Sequence, residues 1–161
     1  MSNMDDMWVF TKMALGFPVE KTAISLADID LFNVYGKVKI TLIEGEVTGV
    51  GDAGPTTILL NEKASSIPLC AATTVTLDAV GEIYRATGDP AVVLNGTGNA
   101  PVLKVAGLLS AFPETGGFVF GLAGLAQLII ELTQTGADAT HAVRWTLWYF
   151  PLEVGAYVEA A

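Results

Sequence analysis

Residues 35–48 read Tyr-Gly-Lys-Val-Lys-Ile-Thr-Leu-Ile-Glu-Gly-Glu-Val-Thr, and their period decides the fold class. Val38, Ile40 and Leu42 alternate with Lys37, Lys39 and Thr41, which puts apolar groups on one face and polar groups on the other. That is the pattern of a half-buried strand. A turn follows at Gly49-Val50-Gly51-Asp52-Ala53-Gly54-Pro55, and Thr56 to Asn61 resumes an extended run expected to pair back as a hairpin.

The same punctuation recurs outward along the chain. Residues 72–78, 81–86, 91–95, 102–109, 118–120, 124–135 and 142–150 are further strand candidates, with turns at Gly88-Asp89-Pro90 and Asn95-Gly96-Thr97-Gly98. In 124–135, Leu128, Ile130 and Leu132 face away from Gln127, Glu131 and Thr133, with Ile129 breaking the pattern. A hairpin at Gly136-Ala137-Asp138-Ala139 is expected to lead into 142–150. There Val143, Trp145, Leu147 and Tyr149 share one face, while Trp148 and Phe150 lie on the other beside Arg144 and Thr146. Short strands with turns every ~8–12 residues predict an all-β fold, an antiparallel β-sandwich or jelly-roll-like barrel.

Residues 1–30 differ. Met1, Met4, Met7, Trp8, Phe10, Met13, Leu15 and Phe17 mix with Asp5, Asp6 and Lys12 and show no period of two. This predicts an extended N-terminal arm over residues 1–30 ahead of a single β domain over 31–161. Within the arm, a short helix over 5–15 would stop at Gly16 and Pro18, and 25–28 would form a brief turn.

Composition limits what such a chain can do. At 161 residues it is one domain with room for a core, yet 52% of positions are hydrophobic and only 16% charged. With 8 Lys+Arg against 17 Asp+Glu the net charge is −9, and no cation cluster is available to neutralise phosphates, so no nucleic-acid partner is expected. The longest uncharged run, 16 residues between Glu114 and Glu131, falls short of the ~20 a spanning helix needs, so no membrane span is expected. Met1 to Asp6 carries two acids where a secretory signal carries basic residues, which predicts a protein that stays in the cytoplasm where it is made.

Chemistry-bearing motifs are sparse. Gly49, Gly51 and Gly54 spell G-x-G-x-x-G, but Pro55 and the β-type Thr56-Thr57-Ile58 deny it the helix that a phosphate site requires, leaving a turn. His141 is the sole histidine and reads as a loop-end residue. Cys70, the sole cysteine, sits in apolar Pro68-Leu69-Cys70-Ala71-Ala72 as a buried, protonated thiol and excludes a disulfide framework. The i, i+2 pairs Asp28/Asp30 and Glu44/Glu46 could suit acid–base work or calcium, but without further ligands they read as solvated faces or inter-subunit salt bridges. Asn95-Gly96-Thr97 reads as a turn rather than a glycan acceptor. No catalytic residue, cofactor or metal site is expected, and an enzyme resting on Cys70 or His141 ranks last.

The run Asp30-Leu31-Phe32-Asn33-Val34-Tyr35-Gly36-Lys37-Val38, followed by Gly45-Glu46-Val47-Thr48-Gly49-Val50, resembles a small class of tailed-bacteriophage head proteins. Similar too are Gly81-Glu82-Ile83-Tyr84, the strand from Leu128 to Thr133, and the close Trp145-Thr146-Leu147-Trp148-Tyr149-Phe150-Pro151-Leu152, so the resemblance covers residues 31–158. It implies a capsid decoration or cement protein: a virion component on the capsid exterior, partnered by the major capsid protein and by copies of itself, a homotrimer being favoured. Apolar residues beyond the needs of one small core fit subunit contacts, for which Met4, Met7, Trp8, Phe10, Met13, Phe17, Trp148 and Phe150 are the candidates. The rival reading is a jelly-roll module binding a glycan or receptor through loops around Asp52, Asp89 or Asp138.

Overall fold

The computed structural model describes residues 15–86, 88–94 and 117–161. Its elements are strands: β1 Phe17–Ile24, β2 Ile29–Tyr35, β3 Val38–Gly49, β4 Thr57–Glu62, β5 Ile67–Pro68, β6 Thr73–Thr74, β7 Ile83–Ala86, β8 Phe118–Phe120, β9 Gln127–Thr135, β10 Ala142–Pro151 and β11 Tyr157–Ala160. They form two antiparallel sheets. One runs β1-β10-β3-β7, with β8 beside the other half of β3; the second runs β11-β2-β9-β4-β5, with β6 also on β4.

The pairings are nested. β1 pairs with β10 and β2 with β9, β3 pairs with β7, and β4 with β5 and β6, successive pairs falling in opposite sheets. One long hairpin rolled across itself gives this order, which is the jelly roll, and it agrees with the sandwich expected from strand and turn spacing. The two expected hairpins do not form. β3 and β4 lie in different sheets, as do β9 and β10, so the turns after Gly49 and at Gly136 carry the chain across the sandwich. Turn residues mark a reversal without specifying which sheet receives the next strand.

The boundary expected at residue 30 moves as well, because β1 pairs with β10 from Phe17↔Tyr149 to Ile24↔Ala142 and belongs to the domain. Its charged Glu20 and Lys21 hide the alternation, since β1 is an edge strand in which only Ala23 is fully buried. The brief turn over 25–28 is present. Of the expected strand over 72–78 only β6 forms, and 91–94 contribute one isolated bridge, Ala71↔Val93. The candidate strand 102–109, the turn at Asn95 and residues 5–14 of the expected helix lie outside the described residues.

The core is built from the inward faces. Val38, Ile40, Ile43 and Val47 of β3 pack with Val143, Trp145, Leu147 and Tyr149 of β10 against Leu31, Phe32, Val34, Ile58, Leu60, Ile130 and Leu132 of the second sheet. Leu42 departs from the expected phase. An irregularity sets Trp148 and Tyr149 opposite Leu42 and Ile40, making Thr41 the extra residue and turning Leu42 to the outer face beside Trp148.

Gly121 seals one end of the sandwich. It sits at φ +108°, and a Cβ there would lie 1.9 Å from the Gly36 carbonyl oxygen, so the β8–β9 connection rests directly on the β2–β3 turn. Gly121→Ala must both strain the backbone and part these segments, and is expected to cost about 2–3 kcal/mol in denaturant unfolding. An unchanged midpoint would contradict the close approach.

Candidate functional site

Two regions concentrate polar and exposed apolar chemistry, one at each end of the sandwich. At the first end, the β1–β2 turn, the β9–β10 loop and the segment leading into β7 meet around His141. Its imidazole is fully buried, with Nδ1 2.7 Å from Ser25 Oγ and Nε2 3.1 Å from the Tyr84 hydroxyl, and Tyr84 donates to Asp78. The carboxylate of Asp78 can only accept from Tyr84, so the tyrosine oxygen accepts from Nε2–H, and Ser25 donates to Nδ1. The result is a directed chain, Ser25 to His141 to Tyr84 to Asp78, in which each hydrogen has one place.

Electrostatics keep it neutral in the middle. Burial pushes His141 below its ordinary range against the pull of Asp138, and pushes Tyr84 far above its own, helped by Asp78. Burial also raises Asp78, opposed by the hydrogen bond from Tyr84. Below the chain, Asp138 Oδ1 accepts from Thr140 N at 2.8 Å, Thr140 Oγ1 at 2.8 Å and His141 N at 2.9 Å, and Oδ2 accepts from Asp52 N at 2.7 Å. Burial raises this carboxyl, but the four donors outweigh it and hold it below the usual range.

Both ends expose aliphatic side chains: Leu26, Val50, Leu77 and Val80 do so near the His141 end, and at the opposite end they project from two adjacent loops. Loops 121–126 and 152–156 expose Leu122 (50%), Leu125 (44%), Leu152 (51%) and Val154 (100%). Leu125 is held at φ +60°, a left-handed conformation that is costly for leucine. The Glu153 carboxylate accepts from Lys37 N at 3.1 Å and Leu125 N at 3.4 Å, fixing both loops to the β2–β3 turn. These aliphatic side chains are therefore presented from an anchored frame.

Between the ends, the outer face of the β1-β10-β3 sheet holds a hollow of about 240 Å³ lined by Glu20, Glu44, Glu46, Arg144, Thr146 and Trp148. Here the paired acids are engaged within the chain: Glu44 binds Arg85 at 2.8 Å and Glu46 binds Arg144. Asp30 likewise binds Lys63 at 2.7 Å, and Asp28 accepts from Gln134 N at 2.9 Å.

Of the expected contact residues, Trp148 and Phe150 are half-buried on this outer face, and Phe17, at the start of β1, is 53% exposed with its ring 6.0 Å from that of Tyr149. Met4, Met7, Trp8, Phe10 and Met13 lie outside the described residues. Cys70 is buried, its thiol pushed up by burial and accepting from Leu60 N at 3.3 Å, while His141 binds elsewhere. The glycines at 49, 51 and 54 lead into β4 rather than a helix. Asp52 Oδ1 accepts from Gly54 N and Asp89 Oδ1 from Ala91 N within their own loops, while buried Asp138 ties its loop to the β3–β4 loop through Asp52 N.

Sequence reasoning missed Ser25, Asp78 and Tyr84, which lie far from His141 along the chain and form no local motif. It also missed the aliphatic end, whose signal was the uncharged run before Glu131. Among the described residues, no three His, Cys, Asp or Glu side chains converge to hold a metal ion, and no helix is long and apolar enough to cross a membrane. Comparisons with protein-family models, curated proteins and solved structures find no match to this chain.

Proposed function

We propose that this chain is a structural protein of a tailed-phage virion: a decoration subunit that works as a homotrimer and seats on the exterior of the capsid, reinforcing it through non-covalent contacts with the major capsid protein. The observation that carries the reading is the anchored aliphatic end, where Leu122, Leu125, Leu152 and Val154 stand in water on a chain with few charges. Exposed apolar clusters of this kind favour burial against another protein. The chemistry-bearing groups Ser25, Cys70, Asp78, Tyr84 and His141 are meanwhile enclosed, which suits a support better than a catalyst.

Three further points support the reading, the first two at the level of analogy. Jelly rolls recur in viral capsid proteins, although lectins and cupins use them too. The motifs between residues 31 and 158 resemble those of phage head proteins. A net charge of −9 suits the outside of a shell better than a surface facing packaged DNA.

The test has two parts. Light scattering of the purified protein is expected to give three times the monomer mass, and a monomer at micromolar concentration would count against the assembly. A Leu152→Asp, Val154→Asp double variant should keep the wild-type ellipticity yet sediment poorly with heads built from the same phage's major capsid protein. Equal co-sedimentation of variant and wild type would remove this end from the contact.

A further inference from the structure

His141 joins three segments through four hydrogen-bonding groups. Its backbone N donates to Asp138 Oδ1, its carbonyl accepts from Ser25 N at 2.9 Å, and its two ring nitrogens meet Ser25 and Tyr84. Asp138 N closes the seam by donating to Ser25 O at 2.6 Å. The β1–β2 turn is thus tied to the β9–β10 loop largely through one residue.

We propose that His141 is a proton-operated latch: a proton taken up at Nδ1 releases the turn at residues 25–28 from the loop at residues 136–141 while both sheets stay paired. The geometry gives the reason. Nδ1 accepts from Ser25, so protonation turns an acceptor into a donor against a hydroxyl that must then reverse and place its own hydrogen inside a closed site. The new charge is also enclosed.

The groups packed around the ring do not hold that charge well. Ser25 from the turn is neutral, and Tyr84 from β7, its ring centre 6.1 Å away, stands between the imidazole and Asp78. Asp138 on the histidine's own loop already serves four donors. Glu82, buried in the segment before β7, acts on Tyr84. Among the described residues no carboxylate accepts directly from either ring nitrogen, so opening the seam to water is the available relief. The depressed basicity of the imidazole agrees, placing uptake below the ordinary histidine range.

Because His141 is the only histidine, its Cε1–H resonance can be followed without ambiguity in the full chain. On lowering pH from about 7.5 to about 5, that resonance is expected to titrate with a midpoint below about 6.5. Over the same span, amide exchange in 22–28 and 136–142, corrected for its intrinsic pH dependence, should rise about tenfold or more while β3 and β4 stay protected. His141→Gln should lose the pH step whatever its baseline exchange. Ser25→Ala, which removes the competing donor, should move the midpoint upward. A histidine that titrates with no change in exchange, one that fails to titrate, or a step that persists in His141→Gln would overturn the latch. If His141→Gln does not fold, the paired resonance and exchange curves of the wild type decide the matter.

Discussion

Trp145→Ala is expected to lower stability by about 3–5 kcal/mol, measured as a fall in denaturant midpoint at unchanged slope. The size of the effect follows from a cross-strand row. Trp145, Gly45 and Tyr84 are register partners across β10, β3 and β7, and the two rings close over the glycine with centroids 6.2 Å apart. A Cβ on Gly45 would lie 2.9 Å from the indole, so the missing side chain in β3 is what admits the ring. Alanine at 145 would leave an empty slot beside a residue that cannot fill it. Trp145→Phe should cost far less, because Nε1 is buried with no hydrogen-bond partner among the described residues and its removal strands nothing. Similar losses in both variants would contradict this account.

Asp138→Ala should cost about 3 kcal/mol or more, since the donors at Asp52, Thr140 and His141 would lose one shared acceptor in a closed loop. The effect is tied to charge. The carboxyl is held below its ordinary value of 3.8 in the fold, so its contribution is full above that pH and is lost as pH falls below it toward the folded value. The stability gap between wild type and Asp138→Asn should therefore be widest near neutrality and shrink below about pH 4. A gap independent of pH would mean that Asp138 acts through shape alone.

What could be read beforehand followed from one-sided burial. β3, β9 and β10 each keep one face in the core and one at the surface, so their period of two survives in the sequence. β1 was illegible because an edge strand bearing Glu20 and Lys21 buries little. Leu42 misled because a bulge reverses phase without changing composition. The Ser25 to Asp78 chain was invisible for a different reason: its members come from three separate segments and are joined by topology, not spacing. His141 does stand at a loop end, one residue before β10, but nothing local in the sequence announces its burial.

The nesting of strand pairs also governs how the chain reaches this state. Phe17 pairs with Tyr149, and Ile29 with Leu132, so neither β1 nor β2 can complete its ladder until β10 and β9 have been made. A nascent chain emerging from the ribosome must carry β1 and β2 without β10 and β9, holding apolar Leu31, Phe32 and Val34 exposed to water. Ladders closed over such sequence separations place this protein among slow folders, in the millisecond-to-second range. Synthesis of β9 and β10, rather than of β1 and β2, is what commits the molecule to its shape.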